Sequence, residues 1–372
     1  MLAYYLHDLS PFVYKIHTPW FTLPIRWYGL SYLAGFVAAY FLLLYLARRG
    51  ILRIPVERVP DLVLNGCIWG VLLGGRLGHV LFYGPEALWD FSATFPFWGV
   101  LRVWQGGMSA HGGVIGVILT LIIWCRKNKF SILNVGDAAC MVVPLGLLFG
   151  RLANFVNGEL YGAKTAVAWA VRFPTELAAP TNGKLAQEVA EKLPGLSDGD
   201  KLRRFTDQVQ LYADQVIDPV RLARWDIRGP GDVVRLIQAP ADVLPKGTPQ
   251  EIVLKLQTYV REQFEIILPT RHPSQLYEAA LEGLALFAIC WLVGRYWRKD
   301  GMASGAFLTF YPVMRIICEQ FRIGSDPYDW LLWTHLSQGV ILSLVMIVPG
   351  LIYWIYRMRQ PAPIALDPNR DR

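Results

Sequence analysis

The stretch DAACMVVPLGLLFGRLANFVN, residues 137–157, decides how this chain is read. It matches the ~20 mostly apolar residues that cross a bilayer core, so it reads as a membrane span rather than a surface helix. Yet it carries Asp137, Arg151, Asn154 and Asn157, side chains that are expensive at that depth and need partners or a wet cavity. Arg151, Asn154 and Asn157 follow one another at i, i+3, which draws one polar stripe along an apolar helix, and Glu159 follows just beyond. Such a stripe packs against a neighbouring helix or lines a ligand cavity.

Outward from that run, six more of spanning length fall at 29–47, 62–83, 109–125, 275–294, 303–321 and 335–356. The chain has 372 residues, 54% of them hydrophobic and 17% charged, with mean hydropathy +0.33, which excludes intrinsic disorder. Its 14 Trp, 17 Tyr and 18 Phe suit aromatic belts at membrane interfaces. The five cysteines lie in apolar stretches without C-x-x-C spacing, so neither a disulfide scaffold nor a zinc site is expected. The first residues lack the pattern of a secretory signal. The aromatic, glycine-rich residues 95–109 are expected to lie in the interface or re-enter the bilayer before the third span.

Basic residues orient the spans. Arg48, Arg49, Arg53 and Arg58 follow the first; Arg126, Lys127 and Lys129 the third; Arg295, Arg298 and Lys299 the fifth; Arg357 and Arg359 the seventh. All four groups fall on one side, which places the N-terminus outside and the C-terminus in the cytoplasm. Residues 163–270 are too long and polar for a loop between adjacent helices. They hold 14 basic and 14 acidic residues, so the formal net charge of +7 belongs entirely to the rest of the chain. A pI near 9.1 therefore records topology, and nucleic acid is not an expected partner.

The expected fold is an all-α polytopic membrane protein with seven transmembrane helices, and a mainly helical extracytoplasmic head between helices four and five. The domains are helices one to four (1–162), the head (163–270), helices five to seven (271–358) and a cytoplasmic tail (359–372).

Arg76, Arg151 and Arg315 lie on outward-running spans, and Arg271 and His272 stand at the start of the fifth. Guanidinium groups gathered there suit an anionic ligand, since they bind phosphate oxygens through paired, charge-assisted hydrogen bonds. The alternative is pairing within the bundle, for instance Arg315 with Glu319 at i, i+4. His111 is flanked by Gly106-Gly107 and Gly112-Gly113, where backbone or ligand can approach closely and an imidazole can act as a base near neutral pH. A structural hydrogen-bonding role is equally open to it.

Three blocks resemble one known family: Gly107-Met108-Ser109-Ala110-His111-Gly112-Gly113, Gly150-Arg151-Leu152-Ala153-Asn154-Phe155-Val156-Asn157-Gly158-Glu159-Leu160-Tyr161-Gly162 and Arg271-His272-Pro273-Ser274-Gln275-Leu276-Tyr277-Glu278. Arg26-Trp27-Tyr28-Gly29-Leu30 and Gly74-Gly75-Arg76-Leu77-Gly78 add to it. They resemble the bacterial phosphatidylglycerol:prolipoprotein diacylglyceryl transferases. The resemblance implies a monomeric, multi-pass enzyme of the bacterial inner membrane. It would transfer diacylglycerol from phosphatidylglycerol to the lipobox cysteine of a prolipoprotein signal peptide, with no cofactor and no metal. It makes His111 the general base, Arg151 and Arg271 the phosphate ligands, and Asn154, Glu159, Gly162, Tyr28 and Arg76 substrate-binding residues. The segment between Gly162 and Arg271 is longer than the family pattern leads one to expect and carries no matching motif. A transporter or channel for an anionic solute is the alternative, since it too would use glycine-interrupted helices and buried arginines.

Overall fold

A computed structural model describes residues 4–7, 9, 11–17, 22–92, 97–102, 107–173, 268–297, 299–323 and 336–360. Most of the expected head, 174–267, and the tail beyond residue 360 lie outside the described residues. The chain divides into two compact units. One comprises Met1–Ser31, Gly150–Ala279 and Ile317–Asp326; the other comprises Tyr32–Phe149, Ala280–Ile316 and Pro327–Arg372.

The second unit is helical. It holds most of α1 (Trp27–Arg48). Next comes a continuous helix over 59–82, made of α2 (Val59–Asn65), a π-helical stretch (Gly66–Leu73) and α3 (Gly74–Phe82). Then come α4 (Ala110–Asn128), the first part of α5 (Ile132–Val156), α7 (Leu286–Tyr296), all but the end of α8 (Met302–Glu319), and α9 (Gln338–Arg359). The expected spans at 29–47, 109–125, 137–157, 275–294 and 335–356 coincide with five helices long and apolar enough to cross a membrane. Apolar side chains such as Phe41, Ile123 and Val345 stay exposed on them, as lipid-facing residues would.

Glycine sets the closest packing. Gly70, Gly74 and Gly78 recur at i, i+4 on 59–82 and meet Gly112 and Gly116 of α4. A Cβ on Gly74 would stand 2.7 Å from the Gly112 carbonyl oxygen and 2.8 Å from the Gly116 Cα, so the backbones touch where small residues alone allow it. Around Leu46, Leu52, Val59, Trp124, Met141 and Leu286 an apolar core closes the rest.

One end of this unit is polar. Asp137 accepts hydrogen bonds from the Gly301 and Ser304 amides at 2.7 and 2.8 Å and from Ser304 Oγ at 2.7 Å, which caps the start of α8. Asp300 pairs with Arg53 and accepts Arg357 Nε on its carbonyl at 2.6 Å. Trp124 Nε1 donates to Asp61 at 2.8 Å. The loops carrying the four basic groups are thus tied together at a single end.

The first unit departs from an all-α reading. β1 (Tyr5–Leu6) pairs in parallel with β4 (Val171–Arg172), and β2 (Phe12–His17) pairs antiparallel with β3 (Thr22–Arg26). The alternation of Phe-Val-Tyr-Lys-Ile-His has the period of a strand, and the chain passes directly from β3 into α1. β4 also pairs with the backbone of Arg271, its Val171 exchanging two hydrogen bonds at 2.9 and 2.8 Å. Arg271 therefore precedes the fifth helix rather than opening it, and α6 (Ser274–Glu278) begins three residues later. Phe173 is fully buried against His7, Phe155 and Tyr161 and closes this small core.

Candidate active site

The first unit holds six of the eight expected residues. α5 ends in a tight turn in which the Gly158 amide donates to Phe155 O and the Glu159 amide to Asn154 O, with Gly158 at φ +66° and Leu160 at φ +56°. That turn folds Glu159 back so that its carboxylate accepts Asn154 Nδ2 at 2.8 Å and Asn157 Nδ2 at 3.4 Å. Its backbone is held from the other motif: Gln275 Nε2 donates to Glu159 O at 2.6 Å and Ser274 Oγ to Leu160 O at 3.0 Å. Gly162 donates to His272 O at 2.9 Å and accepts Arg271 Nη1 at 3.2 Å. A Cβ on Gly162 would stand 2.7 Å from that His272 oxygen, so only glycine fits between the two motifs. The buried Arg271 guanidinium also lies over the Tyr161 ring, 5.2 Å from its centre.

Arg151 forms an ion pair with Glu278, Nη1 to Oε2 at 3.3 Å. The Glu278 side chain is fully buried, and its other oxygen accepts Arg322 Nη1 at 2.5 Å; Arg322 in turn stands 3.6 Å from Glu319. Two guanidinium groups thus share one desolvated carboxylate, which sets their charge at this end of α5. Glu278 and Arg322 escape a reading by polar stripe, but an acidic residue inside an apolar run is itself a signal, and Glu278 and Glu282 share one face of such a run.

His272 Nδ1 is hydrogen-bonded to the Tyr277 hydroxyl at 3.2 Å, and Trp169 Nε1 donates to the same oxygen at 2.7 Å. Burial lowers the His272 pKa below its usual 6.5, which favours the neutral ring. Tyr28, also in this unit, is half-buried in the first turn of α1.

His111 and Arg76 belong to the second unit. His111 is exposed in the first turn of α4, two residues after Ser109, whose side chain caps the helix by accepting the Gly112 amide at 3.2 Å. Arg76 is buried and donates to three backbone carbonyls. In the same unit Arg315 reaches Glu282 at 3.3 Å, a partner that its spacing to Glu319 does not suggest.

A family model described as prolipoprotein diacylglyceryl transferase matches residues 15–356. The chain belongs to that family. It is similar to the phosphatidylglycerol–prolipoprotein diacylglyceryl transferase of Bdellovibrio bacteriovorus, 34% identical over 94% of this chain and 93% of the relative. The counterpart of the same name from Xanthomonas euvesicatoria pv. vesicatoria is 34% identical over 96% of this chain and 94% of its own. Both alignments run over nearly the whole of each chain.

Proposed function

We propose that this protein transfers the diacylglyceryl group of phosphatidylglycerol to the thiol of a prolipoprotein lipobox cysteine. A sulfur–carbon bond forms, the carbon–oxygen bond to phosphate breaks, and glycerol phosphate leaves with the bonding electron pair. The reaction asks the protein for a thiolate, whose unperturbed pKa is about 8.5, and for cations where charge gathers on the departing phosphate. The observation that carries this reading is Arg151, held at the end of a span by a fully buried Glu278 that it shares with Arg322. A guanidinium fixed in advance favours the departing phosphate without reorganising as the bond breaks.

In this reading Arg151 and Arg271 bind the phosphate, and His111 takes the thiol proton. Asn154, Glu159 and Gly162 shape the surroundings of the two arginines, and Tyr28 contributes from the first turn of α1. No metal or other cofactor enters. The chain spans the inner membrane seven times as a monomer, with the N-terminus outside, 163–270 as an extracytoplasmic head and the tail from 359 in the cytoplasm. The spans at 62–83 and 303–321 complete the count, supported by the unbroken helix over 59–82 and by α8.

The test is transfer of labelled diacylglycerol to a lipobox peptide by membranes carrying Arg151→Ala or Arg271→Ala. Each change is expected to lower the rate at least ~100-fold, as loss of a group that stabilises transition-state charge does. An unchanged rate in either would remove that arginine from its role, and full activity in His111→Gln would remove the general base.

A further inference from the structure

Arg76 carries more than an expectation of substrate binding allows. From α3 its Nε donates to Val100 O at 2.7 Å, Nη2 to Gly99 O at 2.9 Å and Nη1 to Gly107 O at 3.2 Å. The two edges of one planar guanidinium thus hold two points of the chain that lie seven residues or more apart. The next residues are fastened to the same helix, since the Ser109 amide donates to Gly75 O at 2.9 Å. Gly107, at φ +81°, passes so close that a Cβ there would stand 2.8 Å from Arg76 Nη1. Ser109 then caps α4, and His111 lies in the first turn it starts.

We propose that Arg76 is a positioning residue that sets the start of α4, and with it His111, rather than a ligand of the phosphate. The proposal rests on the transferase reading and assigns a task within it. The physical ground is geometric: a flat five-donor fork serves carbonyls on two edges at once, whereas the compact ammonium of lysine does not. The buried guanidinium is directed into backbone dipoles. Releasing them would free the segment that leads into His111, and small displacements of a reacting group are costly.

The test uses the full-length protein in bilayers containing phosphatidylglycerol, with Arg76→Lys, Arg76→Gln and Gly107→Ala, the last keeping every arginine. Hydrogen exchange of the described amides in 97–102 and 107–111 is expected to quicken about 10-fold or more in all three, as the charge-assisted bonds are lost or displaced. In the transfer assay kcat is expected to fall by about 100-fold with KM for phosphatidylglycerol unchanged, and lysine is not expected to rescue it. Unchanged exchange in the Arg76 variants would overturn the proposal. So would a raised KM at retained kcat in Arg76→Gln that Arg76→Lys corrects, the behaviour of a phosphate ligand. Should the unsubstituted protein transfer nothing, the transferase reading fails, and the exchange result still decides whether Arg76 holds the segment.

Discussion

Glu278 shows how much rests on single side chains. Its carboxylate is fully buried and pairs with both Arg151 and Arg322, so removing it takes a buried anion from two cations rather than one. Glu278→Leu is expected to destabilise the protein by about 3 kcal/mol or more, read as a lowered unfolding midpoint in detergent, because breaking a buried pair leaves uncompensated charge. An unchanged midpoint would mean that the arginines find other anions. His272 makes a prediction in pH. Its folded-state pKa lies below 6.5, so its contribution to stability is full above the unfolded value and is lost as pH falls through the lowered one. Wild type should lose stability on acidification below about 6.5 more steeply than His272→Gln; parallel curves would contradict this. Arg151, Asn154 and Glu159 were legible in the sequence because polar residues in an apolar run stand out. The pairing of Arg151 with Glu278 was not, because tertiary contact brings the two together across more than a hundred residues.

At the scale of elements, helices were far easier to read than strands. Each apolar run coincides with a helix whose ends lie within a few residues of expectation, except that α5 begins earlier, at Ile132. The strands of two to six residues escaped notice because a short alternation carries little signal and their pairing is non-local. The contact between α4 and the helix over 59–82 was hidden for a related reason: glycines at i, i+4 are common in spans, and only the partner shows what they do. Gly116→Val would drive a side chain against the Gly74 Cα, 2.8 Å from a Cβ at that position. A loss of about 2 kcal/mol or more is expected from such overpacking, measured as a lower unfolding midpoint. A variant as stable as wild type would show that the two helices can part without cost.

The whole molecule is a matter of sidedness and reaction. Hydrogen bonds from Arg53, Trp124 and Arg357 tie the basic loops to one end of the second unit. In intact cells a membrane-impermeant maleimide is expected to label Lys164→Cys but not Lys129→Cys, in a background free of other cysteines; the reverse would invert the orientation. What the sequence conveyed least about is the stretch 163–270, whose 14 basic and 14 acidic residues balance. The most direct measurement incubates the purified protein with phosphatidylglycerol and a lipobox peptide, and analyses the peptide by mass spectrometry. The expected result is a diacylglyceryl thioether on the cysteine with release of glycerol phosphate, and no product when that cysteine is serine. An unmodified cysteine peptide, with the protein folded and the lipid intact, would contradict the transferase reading.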